Sequence, residues 1–227
     1  MTYIYADFEY NDRAVLLGCF LNGSTGEATE IDFRTSNGKR QLENLKAKNP
    51  SAIWCAYAAM AEMSSFLRLG VDLDGMQWID LMAEASMISG THEAFLLKRP
   101  KLLNHLSTFQ VREASADDEK RKNDMRDLIL SDVDFTDEQW ADIVRYCWSD
   151  VDPLPALHLA ISEVHRHDGT GYHESDAINR GEYERASTIL EHRSRGLPVD
   201  VPLITRICKH KDDVRAALSL QIGRAHV

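Results

Sequence analysis

The chain has 227 residues, of which 44% are hydrophobic and 27% charged, with only 12 glycines and 6 prolines. This composition excludes a collagen-like or intrinsically disordered chain and predicts a globular protein with a buried core. The 36 acidic residues outnumber the 26 basic ones, and the formal net charge is −10. Such a charge normally argues against a nucleic-acid partner, except where carboxylates hold divalent cations that reverse the local sign.

The sequence also lacks the usual signals of membrane insertion and of stabilisation by disulfides. No apolar run approaches the roughly 18 residues of a spanning helix, and the first residues do not resemble a secretion signal. The cysteines (Cys19, Cys55, Cys147 and Cys208) are scattered without a C-x-x-C pair. We therefore expect a soluble protein, no membrane partner, and a reducing, cytoplasmic location.

The first 90 residues alternate between β-type and helical patterns. Three short β-type runs separated by turn residues predict an antiparallel meander, and the following residues alternate between strands and helices. The strands are predicted over residues 2–9, 14–21, 27–33, 51–56 and 76–80, and the helices over residues 39–48, 58–69 and 81–89. This order predicts an α/β fold, in which a mixed five-stranded sheet with three leading antiparallel strands is flanked by helices.

The remainder of the chain is predominantly helical in pattern. Thr136 and Gln139 form a capping box that begins a helix through Trp148, and Pro153 and Pro155 interrupt the pattern after it. The other helices are predicted over residues 99–108, 117–130, 156–165, 180–195 and 212–220, with a polar loop at 167–175.

Two carboxylates lie two residues apart in the first predicted strand. Asp7 and Glu9 project from one face, whereas Ile4, Ala6 and Phe8 face the other way. If both carboxylates are buried they repel each other unless they are protonated or bridged by a cation, which favours a divalent metal site. The alternative is a solvated strand face, on which this spacing is common.

A phenol and a carboxylate lie one turn apart in the helix that begins at the capping box. Tyr146 and Asp150 are four residues apart, so they share a helix face and together suit a bound water and a metal ion. The alternative is an aromatic core residue beside an aspartate at a helix end. Asp80, at the end of the fifth strand, is expected to cap the next helix.

These motifs, in this order, resemble those of the DEDD-type 3′→5′ exonucleases with tyrosine in the last motif. The first motif is Y-A-D-F-E (residues 5–9) and the third is Y-C-W-S-D-V-D (residues 146–152). Residues 78–82 (W-I-D-L-M) and 195–200 (R-G-L-P-V-D) extend the resemblance to the proofreading domain of bacteriophage-type family A DNA polymerases. The resemblance implies an RNase H-like fold.

The middle motif departs from the pattern of that family. Its usual H-N-x-x-F-D/E is matched here by residues 57–62, so Tyr57 replaces the histidine, Ala58 replaces the amide, and Glu62 retains the acid. The substitution affects substrate positioning more than metal binding. The alternative for Glu62 is a surface position on an amphipathic helix.

The resemblance implies a catalytic set of Asp7, Glu9, Glu62, Tyr146 and Asp150. It also implies that Asp7, Glu9 and Asp150 would hold two Mg²⁺ or Mn²⁺ ions, with Asp7 bridging both, Glu62 acting through water, and Tyr146 orienting the attacking water.

Three further residues are candidate substrate contacts, namely Phe8, Tyr57 and Lys122. Phe8 either touches the terminal base or packs beneath the sheet. Lys122 either follows the DNA backbone or belongs to a solvated, mixed-charge helix face.

The implied activity is removal of nucleoside monophosphates from a single-stranded or frayed 3′ end of DNA. The alternatives are an RNA-trimming exonuclease of the same fold and a catalytically weak nucleic-acid-binding module. Residues 1–175 are expected to form the exonuclease domain, and residues 176–220 a helical segment that leads to a polymerase domain in cis. Residues 221–227 are encodable by a sequencing-adapter string (CAG ATC GGA AGA GCA CAC GTC), so we expect a non-native tail on a gene fragment.

Overall fold

The structure is a computed structural model that describes residues 1–89, 101–113, 116–131, 134–167, 173–194 and 200–211. Its strands are β1 (Tyr3–Tyr10), β2 (Val15–Asn22), β3 (Ala28–Asp32), β4 (Ile53–Ala56) and β5 (Gln77–Asp80). Its helices are α1 (Gly38–Lys48), α2 (Ala59–Arg68), α3 (Leu81–Ser89), α4 (Leu102–Thr108), α5 (Ala116–Leu130), α6 (Asp137–Val151), α7 (Leu154–His167), α8 (Glu174–Ser194) and α9 (Val201–Lys209). Among the described residues, no helix has the length and apolar character needed to cross a membrane.

The five strands form one mixed sheet in the order β3-β2-β1-β4-β5. β1 pairs antiparallel with β2, and β2 with β3, whereas β4 is parallel to both β1 and β5. The predicted mixed sheet with three leading antiparallel strands is therefore confirmed. β1 lies at the centre, where the pairing changes from antiparallel to parallel, and its carboxyl end points to the same edge as those of β4 and β5.

The sheet separates two hydrophobic clusters, and β1 contributes to both. Ile4, Ala6 and Phe8 belong to the cluster beneath α1 and α2, which also contains Leu42 and Phe66. The neighbouring side chains of β1 face the other cluster, which is built from α3, α4, α6 and α7. Both faces of the sheet are therefore covered, and the alternation predicted for β1 is confirmed.

Helix α8 packs closely against the edge strand β5. A Cβ atom at Gly181 would lie 2.1 Å from the carbonyl oxygen of Trp78, so only glycine permits this approach. The helix begins at Glu174, six residues before the start predicted at residue 180. Glu174 and Asp176 in its first turn favour this earlier start, because carboxylates stabilise the positive end of a helix.

The other helix ends follow local sequence signals. The capping box is confirmed, since Thr136 accepts a hydrogen bond from the Gln139 backbone N–H and Gln139 accepts one from that of Thr136. α7 includes Pro155, because proline is tolerated in a first helical turn. α9 lies within the segment 176–220 that is expected to be helical, but it was not predicted as a separate helix, although Asp200 caps it. The proposed segments 195–199, 212–220 and 221–227, and most of the loop at 167–175, lie outside the described residues.

Candidate active site

Asp7 and Glu9 lie on one face of β1, near its carboxyl end, as the sequence predicts. One potential ligand atom from each of Asp7, Glu9 and Cys147 lies within 4.8 Å of the other two. The Cys147 thiol is 3.4 Å from Asp7 Oδ2 and 3.5 Å from the Asp7 carbonyl oxygen, at hydrogen-bonding distance from both. Cys147 is not among the predicted site residues, although its position three residues before Asp150 places both on one face of α6.

Helix α6 brings the third motif to the same place. It packs against β1 and β2, and both Tyr146 and Asp150 line a cavity with Asp7. Burial raises the pKa of Asp150, while the charge of Lys122 and a hydrogen bond from Tyr146 oppose the rise. The pKa of Tyr146 is also raised, by burial and by the charge of Asp150, so its phenol remains a hydrogen-bond donor at neutral pH.

Helix α2 carries Glu62 into the site. Glu62 is only 3% exposed and lines a cavity together with Asp7 and Glu9, so the alternative of a surface glutamate is wrong. Its Oε2 atom is buried without a hydrogen-bond partner. A buried carboxylate oxygen with no donor is costly, and a cation or its water ligands would satisfy it.

Asp80 fixes the start of α2 from outside that helix. Ala58, the residue before α2, has a left-handed backbone (φ 66°) and no capping side chain. Asp80 accepts hydrogen bonds from the backbone N–H groups of Ala58 and Ala59, and also from Met82 and Ala83 at the start of α3. The predicted cap on α3 is confirmed, and the same carboxylate caps α2 as well.

The electrostatics of the site show that its carboxylates act on one another. Burial and the charge of Asp150 raise the pKa of Asp7 to about 8. Burial and the charge of Asp7 raise the pKa values of Glu9 and Glu62 well above their ordinary range. Four carboxyl groups are therefore held in a poorly solvated space that disfavours their ionised forms, and a divalent cation would stabilise those forms. Their hard oxygen donors, with the unpartnered oxygen of Glu62, fit Mg²⁺ or Mn²⁺.

Two adjoining cavities open beside these acids. Their volumes are about 290 and 340 Å³, and both are lined by Asp7, Arg126, Tyr146 and Asp150. The smaller cavity is also lined by Tyr57, Lys101, Leu102, Leu103, Lys122, Asn123 and Leu154. Acidic side chains and basic side chains therefore face one cleft, although the chain as a whole is acidic.

Two of the three candidate substrate contacts, Tyr57 and Lys122, line the smaller cavity. Tyr57 lines the cleft and its hydroxyl lies 3.0 Å from His105 Nδ1, at hydrogen-bonding distance. Lys122 also lines the cleft, where its Nζ donates to Asp150 Oδ1 at 2.5 Å, so it does not belong to a solvated helix face.

The structure distinguishes between the two alternatives for Phe8. The residue is 4% exposed, and its ring packs against Phe20, Phe33 and Phe66. Because Phe8 alternates with Asp7 and Glu9 along β1, its side chain points to the opposite face of the sheet. Packing beneath the sheet is what the structure shows.

Solved structures share this architecture. One, described as the apo form of a nuclease, has a TM-score of 0.61 and 15% identity over 88% of each chain. NrnC from Brucella melitensis is 15% identical. Its structure with bound Mg²⁺ has a TM-score of 0.59 over 88% of this chain and 89% of that one, and its structure bound to pGG has 0.57 over 85% of each. The catalytic core of RRP6 from Trypanosoma brucei has a TM-score of 0.54 and 12% identity over 81% of this chain and 46% of that one.

The fold is therefore RNase H-like, of the type found in DEDD exonucleases. At 12–15% identity these likenesses show the fold alone. No family model matches the sequence, and no curated protein matches it either.

Proposed function

We propose that this protein is a metal-dependent 3′→5′ exonuclease that releases nucleoside monophosphates from a single-stranded 3′ end. The observation that supports this most directly is the convergence of carboxylates from β1, α2 and α6 on one cleft. Glu9 and Glu62 are buried there and Asp7 is half-buried, and the pKa of each is raised by burial and by the charge of a neighbouring carboxylate. A fold tolerates such repulsion where the charges serve a function, and a cation site explains it.

The proposed roles follow the placement of the side chains. Asp7, Glu9 and Asp150 would hold two Mg²⁺ or Mn²⁺ ions, and Glu62 would act through water. Bound ions of this kind neutralise charge on a scissile phosphate and make water a better nucleophile. Tyr146, as a protonated phenol in the same cleft, would orient the attacking water by a hydrogen bond.

The basic wall of the cleft supports a phosphodiester substrate. The cavity lined by Tyr57 is also lined by three basic residues, namely Lys101, Lys122 and Arg126. It therefore offers cationic contacts for a phosphate backbone together with an aromatic contact. The resemblance of residues 195–200 to the segment that follows a phage-type proofreading domain supports DNA as substrate, and a polymerase domain in cis. A short oligonucleotide, including RNA, is the second candidate, which the structure of NrnC bound to pGG favours.

Degradation of labelled oligonucleotides tests the proposal. Single-stranded DNA and RNA of one sequence, labelled at the 5′ end, are incubated with the protein and Mg²⁺ or Mn²⁺, and the products are separated by size. We expect stepwise shortening that stops on chelation of the metal, and faster shortening of DNA than of RNA. A blocked 3′ end should prevent the reaction in an exonuclease and leave an endonuclease unaffected.

Matched variants identify the groups responsible. Asp7→Asn should reduce the rate by on the order of 10³-fold, because metal ions contribute several kcal/mol and each 1.36 kcal/mol is tenfold. Tyr146→Phe should reduce it by about 10²-fold. Asp12→Asn, at an exposed position, is the control and should retain the wild-type rate. Binding of DNA without shortening in either metal would contradict the proposal and support the binding module.

A further inference from the structure

Lys122 forms an ion pair with a carboxylate of the proposed metal site. Its Nζ lies 2.5 Å from Asp150 Oδ1, and the two side chains are only 25% and 15% exposed. A pair so far removed from water is screened less than a surface pair and holds its partners more tightly. The contact joins α5 to α6, so it depends on the tertiary fold and not on local spacing.

Asp150 stands apart from the tightest group of donors. Among the residues that the structure describes, that group is Asp7, Glu9 and Cys147, and Asp150 is not part of it. Asp150 nevertheless lines both cavities together with Asp7, and the cavity of about 340 Å³ together with Glu9 as well. The ammonium group of Lys122 thus occupies one oxygen of the carboxylate that would complete the set of metal ligands.

Lys122 also lies where it could reach a second anionic partner. It lines the cavity of about 290 Å³ together with Tyr57, Lys101 and Arg126, and its Nζ lies 5.9 Å from the centre of the Tyr146 ring. A lysine ammonium on a flexible four-carbon chain exchanges partners readily and binds phosphate as a point charge. A phosphate in this cavity would offer Lys122 an anionic partner other than Asp150.

We infer that Lys122 is an internal counter-ion that competes with a divalent cation for Asp150 and moves to the phosphate when a nucleotide enters the cleft. The inference rests on the proposed function for the identity of the site. Metal and nucleotide then bind cooperatively, since each favours the arrangement in which Lys122 has left Asp150. The site binds metal weakly until the substrate arrives, which links loading of the metal to the presence of a 3′ end.

Calorimetric titration with Mn²⁺ alone tests the first half of the inference. Lys122→Met removes the competing charge, so it should bind Mn²⁺ about tenfold more tightly than the wild type, equivalent to about 1.4 kcal/mol. Lys122→Gln, which keeps a hydrogen-bond donor without the charge, should behave in the same way. Lys122→Arg keeps the charge and Lys120→Met changes an exposed residue of the same helix, so both should match the wild type.

Titration with Mn²⁺ in the presence of a deoxynucleoside monophosphate tests the second half. The nucleotide should increase the affinity for Mn²⁺ in the wild type and in each variant, because it contacts the metal directly. The increase should be several-fold larger in the wild type than in Lys122→Met, because only the wild type has an ammonium group to displace.

Neither titration depends on catalysis, so the two hypotheses fail separately. Absence of nuclease activity, with tighter Mn²⁺ binding in Lys122→Met and Lys122→Gln, would refute the proposed function. The inference that Lys122 acts as a counter-ion to Asp150 would still stand. Equal, weaker or undetectable Mn²⁺ binding in both variants, relative to the wild type, would overturn the inference whatever the activity. An equal nucleotide effect in wild type and Lys122→Met would overturn the predicted cooperativity.

Discussion

Replacement of Asp80 by alanine should destabilise two helices at once. The Asp80 carboxylate is 5% exposed and accepts four backbone hydrogen bonds at 2.7–3.2 Å, two from the start of α2 and two from the start of α3. In Asp80→Ala all four N–H groups lose this acceptor. Because α2 carries Glu62, we also expect the variant to lose exonuclease activity.

The size of the effect follows from these four contacts. Loss of an N-cap side chain costs about 1 kcal/mol for each helix, which gives about 2 kcal/mol for two. Hydrogen bonds to a buried charge are worth more than this average, about 1.5–3 kcal/mol each in isolation. We therefore expect the free energy of unfolding to fall by about 2–4 kcal/mol.

Urea unfolding, followed by circular dichroism at pH 7, measures this change. Asp80→Asn keeps one acceptor oxygen without the charge, so its free energy of unfolding should lie between those of wild type and Asp80→Ala. Asp12→Ala, at an exposed position, should lie within about 0.5 kcal/mol of wild type. A loss below 1 kcal/mol in Asp80→Ala would refute the conclusion that one carboxylate caps both helices.

Two other substitutions should stabilise the protein. Burial and the charge of Asp80 raise the pKa of Glu184 from 4.5 to about 8, so the folded state binds this proton more tightly than the unfolded state. Its contribution to stability is present below about pH 4.5 and is lost as the pH rises to about 8. The free energy of unfolding of Glu184→Gln, measured with urea, should therefore rise relative to that of the wild type between pH 5 and pH 8. A difference in free energy of unfolding that does not change with pH would contradict this assignment. Ala58→Gly should gain about 0.5–1 kcal/mol, because glycine adopts the left-handed backbone of Ala58 without strain. A loss of stability would show that the strain is absent.

Features governed by neighbours in the sequence were predictable. The alternation of Ile4, Ala6 and Phe8 with Asp7 and Glu9 follows from the geometry of a strand, and the sheet shows it. The capping box at Thr136 requires only residues within one helical turn. The fold class followed from the order of these elements and from the family resemblance.

Features that depend on distant contacts were not predictable. Nothing in the sequence places Lys122 on Asp150, since the two are 28 residues apart on different helices. The role of Asp80 in capping α2 depends on the parallel pairing of β4 with β5, which sets the ends of both strands side by side. The burial of Glu62 also depends on distant contacts, because the hydrophobic pattern of α2 does not reveal what covers the first turn of that helix.

The pairing of β1 limits how this protein can change over evolutionary time. Both faces of the strand are covered, and its register with β2 shifts only between Glu9 and Tyr10. Insertion or deletion of one residue before Asp7 would exchange the two faces, directing the acids among aromatic rings and Phe8 towards the cleft. The length of β1 upstream of Asp7 therefore has to be inherited unchanged.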